Sequence, residues 1–391
     1  MSLDPVLKAL AAALADEGPA VEFGPAGTGA TGAWRVWQPT TAVGSLPEHT
    51  AVVVRTSGST GTPKATALTI DALAASSAST AVALRGEGQW LLALPLEYIA
   101  GVQVLVRSLY AGTRPVEMNP AAGFTPEAFA DAAEELTDPV RFTSLVPTQL
   151  RRLLEDPSPR VAKALRRFNA VLLGGAPIPP GLLERAGEAG VHVVTTYGSA
   201  ETCGGCVYNG KPLDGVSVRL ADDGRIRLGG EVVAAGYVGD PARTAEHFVE
   251  EGGERWFVTS DVGEIGDDGR LHVLGRTDDV VITGGVKVSA AHIARELEGI
   301  GGVREAFVVG VRDAEWGQAL AAAVVLSGDQ GGSLDEVRGS AVVRLGRLAP
   351  KTWLVVDELP HLPNGKPDRQ TLGEALSRAH AARHGHGASG P

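Results

Sequence analysis

The stretch VVVRTSGSTGTPKATALTIDAL, residues 52–73, decides the reading of this chain. Its opening is apolar and β-branched, the pattern of a buried strand. A turn of hydroxyls and glycines follows, and then an alanine-rich segment of helical character. The turn carries Thr56, Ser57, Gly58, Ser59, Thr60, Gly61, Thr62, Pro63 and Lys64. Glycines let a backbone come close to an anion, hydroxyls donate to it, and a lysine supplies charge, so the segment suits a phosphate. It is not a Walker loop. Counted from Gly58, the place directly before the lysine holds Pro63 and the place after it holds Ala65. Proline offers no N–H and alanine no hydroxyl for a metal. A turn lying between a strand and a helix, without that grip, suits a pyrophosphate that must later leave.

Working outward, β-branched runs alternate with Ala- and Leu-rich helical segments to about residue 200, the mark of an α/β domain built on parallel strands. From GVSVRL to GRLHVLGR the rhythm changes to short strands joined by DDGR-type turns, which predicts antiparallel hairpins. After GRTDDVVITGG the alternation of helix and strand resumes. The expected fold is therefore α/β: a large N-terminal domain with a parallel sheet and a β-rich subdomain over 1–277, then a small mobile α+β domain over 278–375. Residues 376–391 read as an unstructured tail. Its His380, His384 and His386 have no periodic pattern, and a frayed end outweighs a metal site.

Composition bounds the function. The chain has 391 residues, beyond one hydrophobic core, with 44% hydrophobic and 21% charged residues. Its net charge is −11 (35 Lys and Arg against 46 Asp and Glu), which disfavours a nucleic-acid partner. No run approaches the ~18 apolar residues of a membrane span. The start, MSLDPVLKALAAALADEG, reads as a capped amphipathic helix because it lacks a basic n-region. The two cysteines, Cys203 and Cys206, suggest a reducing cytoplasm and side chains that pack rather than react.

Five segments in order then carry a family resemblance. TSGSTGTPK (56–64), YGSAET (197–202), TSDVGEI (259–265), GRTDDVVITGG (275–285) and LPNGKPDR (362–369) resemble the signatures of the adenylate-forming superfamily, which includes acyl-CoA synthetases, adenylation domains and luciferases. The resemblance implies a reaction in two halves. A carboxylate attacks the α-phosphorus of ATP, giving an acyl-adenylate and pyrophosphate, and a thiol then attacks the activated carbonyl. ATP, Mg²⁺ and coenzyme A are the implied cofactor and co-substrates, with a small carboxylic acid as partner; pairing into a homodimer is left open.

Each segment then has an implied role. Two anions must meet, so positive charge is needed where oxygens converge, and Lys366 is the candidate catalytic cation. Glu201 is the candidate Mg²⁺ ligand, since magnesium takes one or two carboxylates beside phosphate oxygens. Asp261, placed where a strand ends, would accept both ribose hydroxyls, and Arg276 would bond the ribose or phosphate. Tyr197 offers a face to adenine, with Gly198 and Ser199 beside it and Gly175-Ala176-Pro177 lining the other side. Asp278 is the implied hinge. Gly284 and Gly285 would admit the pantetheine chain.

The first segment comes early for the superfamily, so the large domain is expected to be truncated at its N-terminus. The segments 94–113 and 197–220 are similar to those of ligases that activate a succinyl-substituted benzoate. Such an acid keeps a second carboxylate and needs a cation for it. Arg107 is the candidate, set on a helix whose apolar stripe (Val102, Leu105, Val106, Leu109) it points away from; a solvent-facing arginine is the competing reading. Gly204 and Gly205, with Tyr208, would shape an aromatic slot. Two departures stand out. Tyr98 occupies the place where relatives often have histidine, and Ala200 replaces a hydroxyl residue, forgoing a contact worth about 0.5–1.5 kcal/mol unless Ser199 supplies it. Other aryl- or fatty-acid CoA ligases, an adenylation enzyme loading a carrier protein, and an inert nucleotide-binding homologue stay open.

Overall fold

The computed structural model describes residues 3–24, 34–38, 45–56, 64–118, 123–327, 333–361 and 367–384. Four sheets organise them. The largest has seven strands, and its centre is parallel: Val193–Ser199, Ala170–Leu173, Arg141–Leu145, Gln89–Leu92 and Val116–Glu117 lie side by side. Ala170–Leu173 is buried at every position, as is Arg141–Leu145, because helices cover both faces. Beyond Val193–Ser199, Gly204–Tyr208 folds back antiparallel on it, and Lys211–Pro212 pairs antiparallel at the edge.

A second sheet of five strands packs beside it in one shared core. Here the sequence reading needs correction. Lys64–Thr69 is a strand that pairs antiparallel with Thr50–Thr56, and the helix begins only at Ile70. The phosphate-type segment is therefore flanked by two paired strands, not by a strand and a helix. The segment KATALT has little intrinsic strand preference, and its partner imposes the extended form. Thr69 then caps the helix Ile70–Ala83 by accepting from the Ala72 N–H at 3.2 Å.

The β-rich region forms as expected. Val216–Leu220, Arg225–Gly230, Glu254–Ile265, Phe248–Glu251 and Leu271–Arg276 build an antiparallel sheet. Past the helical turn Thr277–Asp279, the strands Val280–Thr283, Val286–Ser289, Gly317–Leu326, Val303–Asp313 and Thr352–Val355 form the last sheet, with its own core. Among the described residues, two polar contacts between this unit and the rest stand out. Arg151, on the helix Pro147–Glu155, meets Glu305 at 2.6 Å, and Arg295 donates to the Leu274 carbonyl at 2.9 Å.

The expected tail is also corrected. Residues Arg369–His384 form one helix, so 376–384 are ordered. Leu372 and Leu376 are buried against the last sheet, and His380 follows on the same face at 4% exposure. Leu376→Ala is expected to lower the unfolding free energy of the C-terminal unit by about 2–5 kcal/mol, measured by chemical denaturation. An unchanged midpoint would mean that this helix does not dock.

Candidate active site

At the centre lies an ion pair made across two sheets. The lips of the phosphate-type loop are Thr56 and Lys64, directly opposite each other in the hairpin. Ser57, Gly58, Ser59, Thr60 and Gly61 lie outside the described residues. Lys64 Nζ binds the Glu201 carboxylate tightly and donates to Tyr237 Oη at 3.3 Å. Tyr237 in turn donates to Glu201 Oε1 at 2.8 Å, and its ring lies 5.1 Å from the Lys64 ammonium. Glu201 sits on the single turn Ala200–Thr202 that ends the strand Val193–Ser199, while Tyr237 belongs to the two-residue edge strand beside Lys64–Thr69. Gly198 makes this junction possible, since an added Cβ would stand 2.1 Å from the Gly204 carbonyl oxygen.

Glu201 is only 2% exposed. Burial pushes its carboxyl up, but the Lys64 charge, with hydrogen bonds from Lys64 and Tyr237, outweighs burial and holds it below the usual carboxylate range. The Tyr237 phenol moves the other way, raised first by burial and then by the Glu201 charge. The result is a buried group that stays anionic. Lys64 and Tyr237 both meet Glu201 at Oε1, and neither engages the second oxygen. Thr56 Oγ1, at the loop's lip, is buried with no hydrogen-bond partner among the described residues. An ionised carboxylate paired with Lys64, and an unsatisfied hydroxyl on the residue opposite Lys64, fit a cation carried in with phosphate oxygens. Among the described residues no group of three or more His, Cys, Asp or Glu could hold a metal by itself.

A second cluster lies beyond the same strand. Tyr197 donates to Asp261 Oδ2 at 2.7 Å, and Arg276 Nη1 approaches Asp261 Oδ1 at 3.4 Å. Burial, then the Asp261 charge, raises the Tyr197 phenol. Asp261 does not end a strand as expected; it sits within Glu254–Ile265, opposite Arg276 and next to a bulge. The bulge re-aims the chain at this point. Gly175-Ala176-Pro177 follows Ala170–Leu173, the strand next to that of Tyr197.

The third cluster surrounds Arg107. The expectation that it points away from the apolar stripe fails: the helix Ile99–Tyr110 is buried over most of its circumference, and Arg107 is 6% exposed. Its guanidinium lies 5.2 Å from the Trp90 ring centre and Nη2 is 3.5 Å from Tyr208 Oη. Nε has no hydrogen-bond partner, and no carboxylate reaches ion-pair distance, among the described residues. The Tyr208 hydroxyl also meets Thr80 Oγ1 at 3.1 Å. Beside it, Ser76 donates to the Cys203 carbonyl at 3.2 Å, which Gln103 also engages. Gly204 and Gly205 lie on the strand that carries Tyr208, and an added Cβ on Gly204 would meet Gln103 and Ile99 at 3.5 and 3.7 Å. Tyr98 is half-buried at the start of the Arg107 helix, its phenol raised by burial and by Glu97. Cys203 and Cys206 are free and buried; burial pushes both thiols up, that of Cys206 to about 12, which leaves them protonated and inert.

In the C-terminal unit, Gly284 and Gly285 form the turn between Val280–Thr283 and Val286–Ser289, at φ of +54° and +78°. Asp278 lies in the linking turn, beside Asp279, which is buried and paired with Arg369. Lys366 lies outside the described residues. Sequence reasoning missed Tyr237, Trp90, Gln103, Ser76 and Thr80. None belongs to a motif, and each reaches its cluster only through the fold.

Comparison with known proteins gives the family. Residues 5–254 match the family described as AMP-binding enzyme, and residues 296–366 match the AMP-binding enzyme C-terminal domain. The chain is 43% identical over 331 residues to a probable 2-succinylbenzoate–CoA ligase of Mycobacterium tuberculosis, covering 84% of this chain and 85% of that one. It is 30% identical to the 2-succinylbenzoate–CoA ligase of Listeria innocua, covering 84% and 71%. Among solved structures it is similar to ATP-bound MatB from Rhodopseudomonas palustris, with a TM-score of 0.74, 29% identity and coverage of 84% and 68%. It is also similar to o-succinylbenzoate CoA synthetase (MenE) from Bacillus subtilis in complex with its acyl-adenylate intermediate, OSB-AMP, with a TM-score of 0.71, 30% identity and coverage of 83% and 69%.

The Lys64–Glu201 pair has a pH signature. In the intact protein the folded carboxyl lies below its unfolded value, so its contribution to stability is present above the unfolded pKa and lost as pH falls through the folded one. Without Lys64, burial dominates and the sign reverses: stability falls as pH rises past the unfolded value. Lys64→Met is therefore expected to cost about 3–5 kcal/mol near pH 7 and distinctly less near pH 5. Denaturant titrations at the two pH values check this, and an equal loss at both would contradict it.

Proposed function

The chain belongs to the AMP-binding enzyme family, and from that premise we propose that it is an ATP-dependent acid–CoA ligase acting through an acyl-adenylate, converting 2-succinylbenzoate to 2-succinylbenzoyl-CoA in menaquinone biosynthesis. The observation that carries the choice of acid is Arg107. A buried guanidinium with no carboxylate among the described residues is an uncompensated charge, and such a charge is costly unless something anionic completes it. The acid class proposed here brings two carboxylates: one is activated, and the spectator would pair with Arg107. Trp90 and Tyr208 then flank an aromatic ring, with Gly204, Gly205 and Tyr98 shaping the slot.

The remaining groups fall into roles around one phosphorus atom. Asp261 and Arg276 would hold the ribose, with Tyr197 fixed by its bond to Asp261 so that its ring faces adenine. The backbone of Gly175-Ala176-Pro177 would close the other side. Lys64, with Thr56 and the loop Ser57, Gly58, Ser59, Thr60 and Gly61, would take the departing pyrophosphate. Mg²⁺ would be held by Glu201 and would supply charge neutralisation on the phosphates. When phosphates arrive, Lys64 has a second anion to bind, and the Glu201 carboxylate it has kept ionised becomes available. Lys366 would bridge the attacking carboxylate and the α-phosphate, offsetting their repulsion. Rotation about Asp278 would then withdraw Lys366 and bring Gly284 and Gly285 to the thiol, which loses its proton, bonds the carbonyl carbon and expels AMP.

No helix among the described residues is long and apolar enough to cross a membrane, and the two cysteines are unpaired, which suits a cytoplasmic enzyme. The deciding experiment offers a panel of acids with ATP and CoA and follows AMP release. 2-Succinylbenzoate should be turned over most efficiently. Preference for a monocarboxylate, or turnover only with a phosphopantetheinyl protein, would overturn the reading.

Two variants separate the roles. Arg107→Ala should raise the KM for the dicarboxylate far more than for a matched monocarboxylate, and equal effects on both acids would contradict its pairing. Lys366→Ala should slow adenylation by about 10²–10³ while largely sparing thiol attack on pre-formed adenylate. Equal loss in the two half-reactions would remove that assignment.

A further inference from the structure

His380 belongs to no motif of the proposed reaction, yet it is 4% exposed and its ring bonds on both sides. Nδ1 pairs with Thr352 Oγ1 at 2.7 Å. Nε2 lies 3.1 Å from Asp313 Oδ2, and because a carboxylate only accepts, Nε2 carries the proton. Thr352 is 1% exposed and the Asp313 side chain 10%, so water does not compete for these bonds. A terminal helix that only packed against the sheet would need leucine here. A buried imidazole fixed at both nitrogens is an expensive choice for packing alone.

The contact leads to the turn of a hairpin. Asp313 ends the strand Val303–Asp313, and its Oδ1 accepts the N–H groups of Glu315 and Trp316, each at 2.9 Å. The carboxyl is held below its usual range by those N–H groups and by His380, whereas burial acts the other way. The turn so fixed carries Trp316, whose carbonyl accepts the Gly284 N–H at 3.1 Å. The Trp316 ring lies against Gly284 closely enough that an added Cβ would stand 2.6 Å from it. Gly284 needs its left-handed φ of +54° to sit there. One bonded chain thus runs from the terminal helix through Asp313 and Trp316 to the Gly284-Gly285 turn.

We propose that His380 is a positioning residue for the second half-reaction: it locks the 313–317 turn through Asp313 and so sets the shape of the Gly284-Gly285 turn that admits the CoA thiol. This rests on the reading of that turn as the thiol's path. The first half-reaction does not use the turn, and it requires the C-terminal unit to be folded because Lys366 lies there. ATP–pyrophosphate exchange therefore serves as a folding control within the same variant.

The test compares wild type, His380→Leu and His380→Gln in two assays: exchange with 2-succinylbenzoate, and CoA-dependent AMP release across a CoA titration. Leucine removes both bonds, whereas glutamine can still donate to Asp313 and accept from Thr352. His380→Leu should exchange pyrophosphate at the wild-type rate and raise the KM for CoA at least about tenfold, the scale expected of a misplaced site. His380→Gln should recover most of the loss. An unchanged KM for CoA, a parallel loss in both half-reactions, or no recovery with glutamine would each overturn the proposal. Wild-type protein that shows no CoA-dependent AMP release would instead remove the functional reading on which it rests.

Discussion

A carboxylate taken out of water has to be matched by an opposite charge, and in this fold that condition is met across a sheet boundary. Glu201 ends a strand of the seven-stranded sheet, Lys64 begins a strand of the five-stranded one, and the two are 137 residues apart. Their contact needs the hairpin Thr50–Thr56/Lys64–Thr69, the sharp exit at Gly198 and the edge strand bearing Tyr237 to be in place together. Neither sheet alone could keep the carboxylate ionised. The shared core of the two sheets is thus what sets the charge state of the site.

From that pair the proposed chemistry follows as a matter of charge. The substrates are anions, the protein carries a net charge of −11, and attraction must come from a few local cations. Lys64, Arg107 and Arg276 are built into the large domain at three separate clusters. Lys366 would arrive from the C-terminal unit, so the proposed adenylation site is complete only when that unit is suitably turned. Among the described residues the polar contacts between the units include Arg151 with Glu305 and Arg295 with the Leu274 carbonyl, and the helix Ala290–Glu298 also packs on the strand Leu271–Arg276. Burial also raises the Glu298 carboxyl, which bonds the Ala306 N–H beside Glu305, to about 7. Polar contacts of this kind suit the turning of the C-terminal unit proposed above.

Much of this was legible from the sequence because two signals were strong. The β-branched runs marked the parallel strands, and the five motifs marked the family in order. What escaped did so for physical reasons. KATALT gave no strand signal of its own because its alanines hide strand formation that only a partner strand dictates. Arg107 looked solvated because the residues that bury it, Trp90 and Tyr208 among them, come from other elements. The terminal helix escaped because its buried positions, Leu372, Leu376 and His380, recur at a spacing of four but end in a residue that is seldom buried. Tyr237 had no signal beyond its own identity.

The most direct measurement is exchange of labelled pyrophosphate into ATP, with magnesium and 2-succinylbenzoate present and CoA absent, in wild type and in Glu201→Gln. The amide keeps the shape of the side chain and deletes its charge. The account predicts acid-dependent exchange in the wild type and its near-complete loss in the variant. Exchange that never occurs, or that survives neutralisation of Glu201 at the wild-type rate, would contradict it.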